Sequence, residues 1–175
     1  LAGEEGMAED AAKSYGNLVH RMLETLPLMQ SDMWDSVLKT LSDGYDPQIA
    51  KTALDEAITL IENPDIRHIF DPSALAEVPI TAQLGEQRLY GIIDRLIVTP
   101  ERVLAVDFKS NAQVPESARH CPKGLLRQMA AYGHALTQIY PGRQIETALL
   151  WTRTASLMSL PHDLVTDALR EVLEP

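Results

Sequence analysis

The sequence predicts an α/β fold in which helices flank a mixed β-sheet, with a further helical portion at the N-terminal end. Up to Asn63, apolar residues recur every three or four positions, which is the spacing of amphipathic helices. After Pro64, apolar and polar residues alternate in three short segments, which indicates half-buried strands. A long helical segment then precedes another apolar run, which indicates a parallel strand reached by a right-handed crossover.

Three helices are predicted in the N-terminal portion. The first covers residues 14–27, where Ser14 can cap its start. The second lies within residues 31–44, with Ser31 or Asp32 as its cap and Gly44 just past its end. The third covers residues 46–64, and Pro47 suits its first position because proline lacks the N–H that this position leaves unused.

Three strands joined by short turns are predicted next, as an antiparallel meander over residues 76–85, 87–98 and 102–110. A helix over residues 121–142 follows, and its apolar residues recur every three or four positions. The strand over residues 144–152 is expected to lie parallel to the third strand. A final helix is predicted over residues 160–175.

Length and composition favour one globular domain over residues 14–175. The chain has 175 residues and 45% hydrophobic content, which is enough for a core without disulfides. Residues 1–13 are acidic and lack an apolar segment, so we expect a linker from a preceding region and no targeting peptide. Cys121 is the single cysteine, which excludes an internal disulfide and a four-cysteine iron–sulfur cluster. We therefore expect a cytoplasmic protein that does not enter a membrane.

The charge is distributed unevenly along the chain. The net charge is −10, which alone argues against a nucleic-acid partner. Residues 88–127, however, contain seven basic and four acidic residues and sum to +3, so the remainder sums to −13. This central segment is either a local nucleic-acid-binding surface or chance variation on an acidic protein.

Two carboxylates lie in segments that otherwise resemble buried strands. Asp94 is in the second strand and Asp107 in the third, and Lys109 shares a face with Asp107 because alternate residues of a strand point the same way. Converging carboxylates repel each other and lose hydration unless a cation neutralises them. Oxygen ligands of this kind favour Mg²⁺ or Mn²⁺. The alternative is an ordinary half-exposed hairpin in which Asp107 and Lys109 form a surface ion pair.

Four motifs together resemble a known nuclease superfamily. They are G-x-x-x-H at residues 16–20, G-I-I-D at 91–94, V-D-F-K at 106–109 and Q-x-x-x-Y at 128–132. Their order and spacing resemble the RecB-like exonuclease branch of the PD-(D/E)XK nucleases, whose fold is the helix-flanked mixed sheet of restriction endonucleases. The continuation "DFKSN" is most similar to the C-terminal nuclease domains of AddA-type helicase–nuclease subunits. Ile93 stands where the nominal signature has proline, as is usual for this branch.

The resemblance implies a role for each motif residue. The implied metal ligands are His20, Asp94, Asp107 and the carbonyl of Phe108, and Lys109 is the implied catalytic lysine. Gln128 and Tyr132 match a pair that supports the site and the DNA strand, although their spacing also suits simple helix packing. Glu77 resembles a further acidic position. Three basic residues recur at four-residue intervals, and they either bind DNA phosphate or form an ordinary solvated face. They are Arg119, Lys123 and Arg127.

The resemblance also implies a function and its partners. It implies a Mg²⁺-dependent DNA exonuclease, in which Mn²⁺ substitutes, acting on double-strand ends in recombinational repair. Its partners would be DNA, a preceding helicase motor and a second helicase–nuclease subunit. ATP would be used only by that motor, because the sequence contains no G-x-x-x-x-G-K-[ST] loop. The alternative is a catalytically silent module that binds DNA or a partner.

Overall fold

A five-stranded mixed sheet forms the centre of the domain. The computed structural model describes residues 2–111 and 113–173. The strands lie in chain order across the sheet: β1 (Leu75–Leu84), β2 (Gln87–Val98), β3 (Arg102–Lys109), β4 (Gln144–Trp151) and β5 (Ser156–Leu160). Only β3 and β4 are parallel among the described neighbours, and the other pairs are antiparallel. The predicted meander and parallel strand are therefore confirmed.

Helices cover both faces of this sheet. Their bounds are α1 (Ala2–Thr25), α2 (Trp34–Leu41), α3 (Pro47–Glu62), α4 (Lys123–Ile139) and α5 (His162–Leu173). Helices α1 to α3 pack on one apolar cluster with alternate residues of β3 and β4. Helices α4 and α5 pack on a second cluster against the opposite face. The restriction-endonuclease-like architecture expected from the sequence is thus observed.

The predicted start of the first helix is wrong. Helix α1 is already formed at Ala2 and continues through Ser14, which therefore caps nothing. Residues 2–13 contain four Ala, three Glu and one Lys, whose high helix propensity favours continuation over a cap. Whether residues 1–13 link the domain to a preceding region stays a prediction. No helix among the described residues is long and apolar enough to cross a membrane.

Two other elements differ from expectation in extent. Helix α2 is shorter than predicted, because residues 31–33 form a 3-10 turn before Trp34. Strand β5 was not predicted, since its five residues follow β4 after only a short 3-10 turn. In contrast, Asp46 caps α3 by accepting hydrogen bonds from two backbone N–H groups, and Pro47 begins the helix as expected.

Candidate active site

The hairpin of β2 and β3 brings the two strand carboxylates together. Its ladder pairs Arg95 with Val106, and Asp94 is the next residue toward the open end. At this point a side-chain hydrogen bond follows the backbone pairing of the two strands: Asp94 Oδ2 accepts from the Phe108 N–H at 2.5 Å. Asp94 is thereby fixed beside the backbone that joins Asp107 to Lys109.

The regular strand pattern breaks at Asp94. Residues two apart in a strand normally share a face. Ile93, however, packs in the cluster under α4, whereas the Arg95 side chain reaches α1 on the opposite face. Across the register, Glu77 has a left-handed backbone with φ of 49°, which is uncommon for a residue other than glycine. Such conformations cluster at functional sites, and this one lies opposite Asp94 in the β1–β2 register.

The Arg95 side chain joins β2 to helix α1 next to this irregular part of the strand. Its side chain is 1% exposed, and one terminal nitrogen donates to the Leu23 carbonyl of α1 at 2.6 Å. The guanidinium also lies over the Phe70 ring, 5.7 Å from the centroid. A buried arginine needs such partners to offset its lost hydration. In the sequence, Arg95 stands out as a charged residue inside an apolar strand, but its contact with α1 was not predicted.

Helix α1 delivers His20 to the site. The His20 Nδ1 lies 3.5 Å from Asp94 Oδ1, and its ring meets Phe108 edge-on with centroids 5.5 Å apart. Burial lowers the pKa of His20, but the hydrogen bond and charge of Asp94 outweigh burial and raise it overall. Gly16 permits the close approach of the helix, because a Cβ there would lie 2.4 Å from Ser110 Oγ.

Asp107 and Lys109 form a buried ion pair. Lys109 Nζ lies 2.5 Å from Asp107 Oδ2, and the Asp107 side chain is only 5% exposed. The alternative left open by the sequence, a solvent-exposed ion pair between Asp107 and Lys109, is therefore wrong. Burial raises the pKa of Asp107; the Lys109 ammonium opposes this and the Asp94 charge adds to it, leaving the pKa raised. Oδ2 is in ionic contact with Lys109 but has no well-directed hydrogen bond among the described residues.

Gln128 and Tyr132 connect α4 to both strands. The Tyr132 hydroxyl donates to the Ile92 carbonyl at 3.0 Å, so it accepts from Gln128 Nε2, also at 3.0 Å. The same Nε2 makes a longer contact of 3.5 Å to Asp107 Oδ1. Tyr132 lies against Gly91, where a Cβ would fall 2.6 to 3.0 Å from ring and hydroxyl atoms. The glycine of G-I-I-D therefore makes room for this ring.

A family model of the PD-(D/E)XK nuclease superfamily matches residues 2–167 of the chain. The chain belongs to this superfamily. A search of curated proteins found no match. Members of the superfamily are generally metal-dependent nucleases, so this domain has a nuclease fold with a divalent metal and DNA as its expected ligands.

The donor set of this nuclease domain fits a hard divalent cation. Two carboxylates and the Phe108 carbonyl supply the oxygen ligands that Mg²⁺ and Mn²⁺ prefer, and His20 adds an imidazole nitrogen. The side chains are arranged in pairs, His20 with Asp94 and Asp107 with Lys109. Within residues 2–111 and 113–173, no three His, Cys, Asp or Glu side chains are gathered into a ready-made cage. Asp107 Oδ2 is instead contacted by the Lys109 ammonium.

A cleft opens beside the predicted ligands. It has a volume of about 350 Å³ and is lined by His20, Glu77, Asp94 and neighbouring residues of α1 and β2. Burial raises the pKa of Glu77, and the charges of Asp94 and Glu24 raise it further. A larger cavity of about 800 Å³ lies around the amino ends of β3 and β4, and none of the predicted site residues line it.

The predicted phosphate-binding row is occupied by intramolecular ion pairs. Arg119 pairs with Asp163 at 2.8 Å, and Glu171 of α5 accepts from both Lys123 and Arg127 at 3.3 and 3.0 Å. These contacts are exposed and therefore individually weak, so DNA could compete for them. They nonetheless cancel most of the local positive charge. DNA binding by this row stays a prediction.

Gly91→Ala is expected to lower DNA cleavage at least tenfold and to destabilise the domain moderately. The new methyl group would collide with the buried Tyr132 ring, which would move and release Gln128 from Asp107. Overpacking of this kind costs about 1–3 kcal/mol. Cleavage rates and urea unfolding of the same sample check this, with Gly124→Ala as control, since a Cβ there meets no atom within 4 Å. Equal cleavage by both variants would contradict the assigned role of Gly91.

Proposed function

We propose that this domain is a divalent-metal-dependent DNA exonuclease that hydrolyses phosphodiester bonds. The observation that carries the proposal is the convergence of His20, Asp94, Asp107 and Lys109 at one edge of the sheet. A catalytically silent module would be expected to lose at least one of these residues. The intact set favours the enzyme over the silent alternative.

His20, Asp94, Asp107 and the Phe108 carbonyl would hold the metal, and Glu77 would add a carboxylate from the same cleft. When bound, the ion supplies Lewis-acid stabilisation of phosphate charge and lowers the pKa of water. Lys109 would then turn from Asp107 to the phosphate, where its ammonium stabilises developing negative charge. Gln128 keeps Asp107 oriented, because its amide is itself fixed by Tyr132. The Asp94 side chain orients the Phe108 peptide.

The proposed setting is a larger helicase–nuclease. The resemblance of "DFKSN" to AddA-type subunits supports a role in processing double-strand DNA ends during recombinational repair. A preceding helicase motor and a second helicase–nuclease subunit would deliver the DNA, and ATP would be used by the motor. The cytoplasm is the proposed compartment.

Linear and covalently closed circular DNA of the same sequence distinguish the proposed activity from its alternatives. With Mg²⁺ or Mn²⁺, we expect nucleotides to be released from the linear form, and the closed circle to remain intact. EDTA should stop the reaction. Cutting of the closed circle would show that the domain is an endonuclease and would contradict the proposed exonuclease activity. No cutting of either form, with metal bound, would favour the silent module.

A further inference from the structure

Arg153 lies at the same sheet edge as the candidate catalytic residues. It follows β4 by two residues, and the last pair of the parallel ladder joins Trp151 to Lys109. The intervening Thr152 hydroxyl is directed at the Lys109 carbonyl at 3.4 Å. Because β3 and β4 are parallel, their carboxyl ends lie together, so the backbone of Arg153 leaves the sheet at the same end as that of Lys109.

The Arg153 side chain rests on an aromatic platform. Its guanidinium carbon lies 5.3 Å from the centroid of the Tyr15 ring, within the range of cation–π attraction. The Tyr15 hydroxyl donates to Glu56 Oε2 at 2.5 Å, which fixes the ring. Burial raises the pKa of Tyr15, and the hydrogen bond and charge of Glu56 raise it further, so the ring stays neutral. Ala155 closes the short turn with a left-handed backbone, φ 48°.

Helix α1 joins this platform to the candidate metal ligands. Tyr15 and His20 are five residues apart, which is about 7.5 Å of helix rise. Between them, Gly16 lets the helix lie directly against Ser110 at the end of β3. Helix α1 therefore contacts Arg153 through Tyr15 and the candidate metal ligand Asp94 through His20.

The charge of Arg153 is available to a ligand. Among the described residues, no carboxylate lies within ion-pair distance of its guanidinium, and the side chain is exposed. The three cations predicted from the sequence differ, since each is paired with a carboxylate of α5. A guanidinium can bind phosphate with two parallel hydrogen bonds, and stacking on a ring leaves its edge nitrogens exposed for this.

We propose that Arg153, held on Tyr15, is a phosphate-contacting residue for the DNA that enters the candidate active site. The inference rests on the proposed nuclease function and adds a substrate contact to it. Arg153 would hold a backbone phosphate near Lys109 without reading base sequence. It is therefore expected to affect substrate affinity more than the chemical step.

The experiment measures binding of a short fluorescein-labelled DNA duplex at several salt concentrations. All samples carry Asp107→Asn, so that the probe is not cut. Arg153→Met should weaken binding about 3- to 10-fold and reduce the slope of log K against log salt by about one. Arg67→Met is the matched control, because Arg67 is an exposed arginine next to His68, which lines the cavity at the opposite end of β3. It should change affinity less than twofold.

Variants of Tyr15 test the platform itself. Tyr15→Phe keeps the ring and should retain DNA affinity, whereas Tyr15→Leu should reproduce part of the Arg153→Met loss. If Arg153→Met leaves DNA affinity and the salt slope unchanged while the wild-type protein cuts linear DNA, the inference about Arg153 is wrong and the proposed function stands. A wild type that neither binds nor cuts DNA would overturn the proposed function and the inference with it.

Discussion

Asp107→Asn is expected to abolish DNA cleavage and to leave the metal-free domain at least as stable as the wild type. The Asp107 carboxylate is buried, and its pKa is raised by burial. A carboxyl whose pKa is higher in the folded state loses folding stability as pH rises from about 4, because ionisation then costs more in the folded chain. Asparagine cannot ionise, and its amide oxygen can still accept from Gln128. Lys109 is partly exposed and can turn to solvent.

Cleavage with Mg²⁺ and urea unfolding in EDTA, both on the same sample, check this result. The advantage of Asp107→Asn should grow as pH increases above about 4. Asp163→Asn is the control, since Asp163 is an exposed carboxylate paired with Arg119, and its loss should alter neither quantity strongly. A loss of about 3 kcal/mol or more in EDTA would instead identify Asp107 as one half of a structural buried ion pair.

Lys109→Ala is expected to lower the cleavage rate by about 10²–10³ without weakening metal binding. The proposed ligands remain in this variant, and the ammonium that occupies Asp107 Oδ2 is gone, so Mn²⁺ affinity should stay equal or increase. Lys109→Arg should not restore the rate, because the planar guanidinium is larger and keeps its proton.

Mn²⁺ titration and cleavage of the Lys109→Ala sample distinguish the possible roles. Lys51→Ala provides a control, because Lys51 forms an exposed pair with Asp55 at 3.2 Å and is expected to change neither quantity. Cleavage within a few-fold of wild type would remove Lys109 from the mechanism. Lost Mn²⁺ binding would make Lys109 a support for the site.

Most of the fold was predictable because local patterns and global packing agree. The β2 strand has its predicted ends, residues 87–98, since alternation and flanking turns specify the same segment. Strand β5 was not predictable, because five residues carry too little alternation to stand apart from a loop. The start of α1 was misplaced because Ser14 is a good cap residue within a segment that also favours helix.

The sequence predicts that the motif residues come together, but it predicts less of how they are arranged, and their roles in catalysis and metal binding stay predictions. The motifs place Asp94, Asp107 and Lys109 on two paired strands, and the structure brings them together. Periodicity does not reveal the left-handed backbone of Glu77, nor the contact of the buried Arg95 with the distant helix α1. Gly91 could have been recognised only by knowing that Tyr132 crosses β2 at that residue. The position of Arg153 at the candidate site likewise depends on the parallel pairing of β3 with β4.

The proposed metal site is tested most directly by anomalous diffraction from crystals of this domain soaked in Mn²⁺. We expect one or more peaks between Asp94 and Asp107, within bonding distance of His20 and the Phe108 carbonyl, with Lys109 turned away from Asp107. Crystals of Asp107→Asn should lose the peak. Wild-type crystals that show no peak at saturating Mn²⁺ and retain the Lys109–Asp107 ion pair would contradict the proposed site.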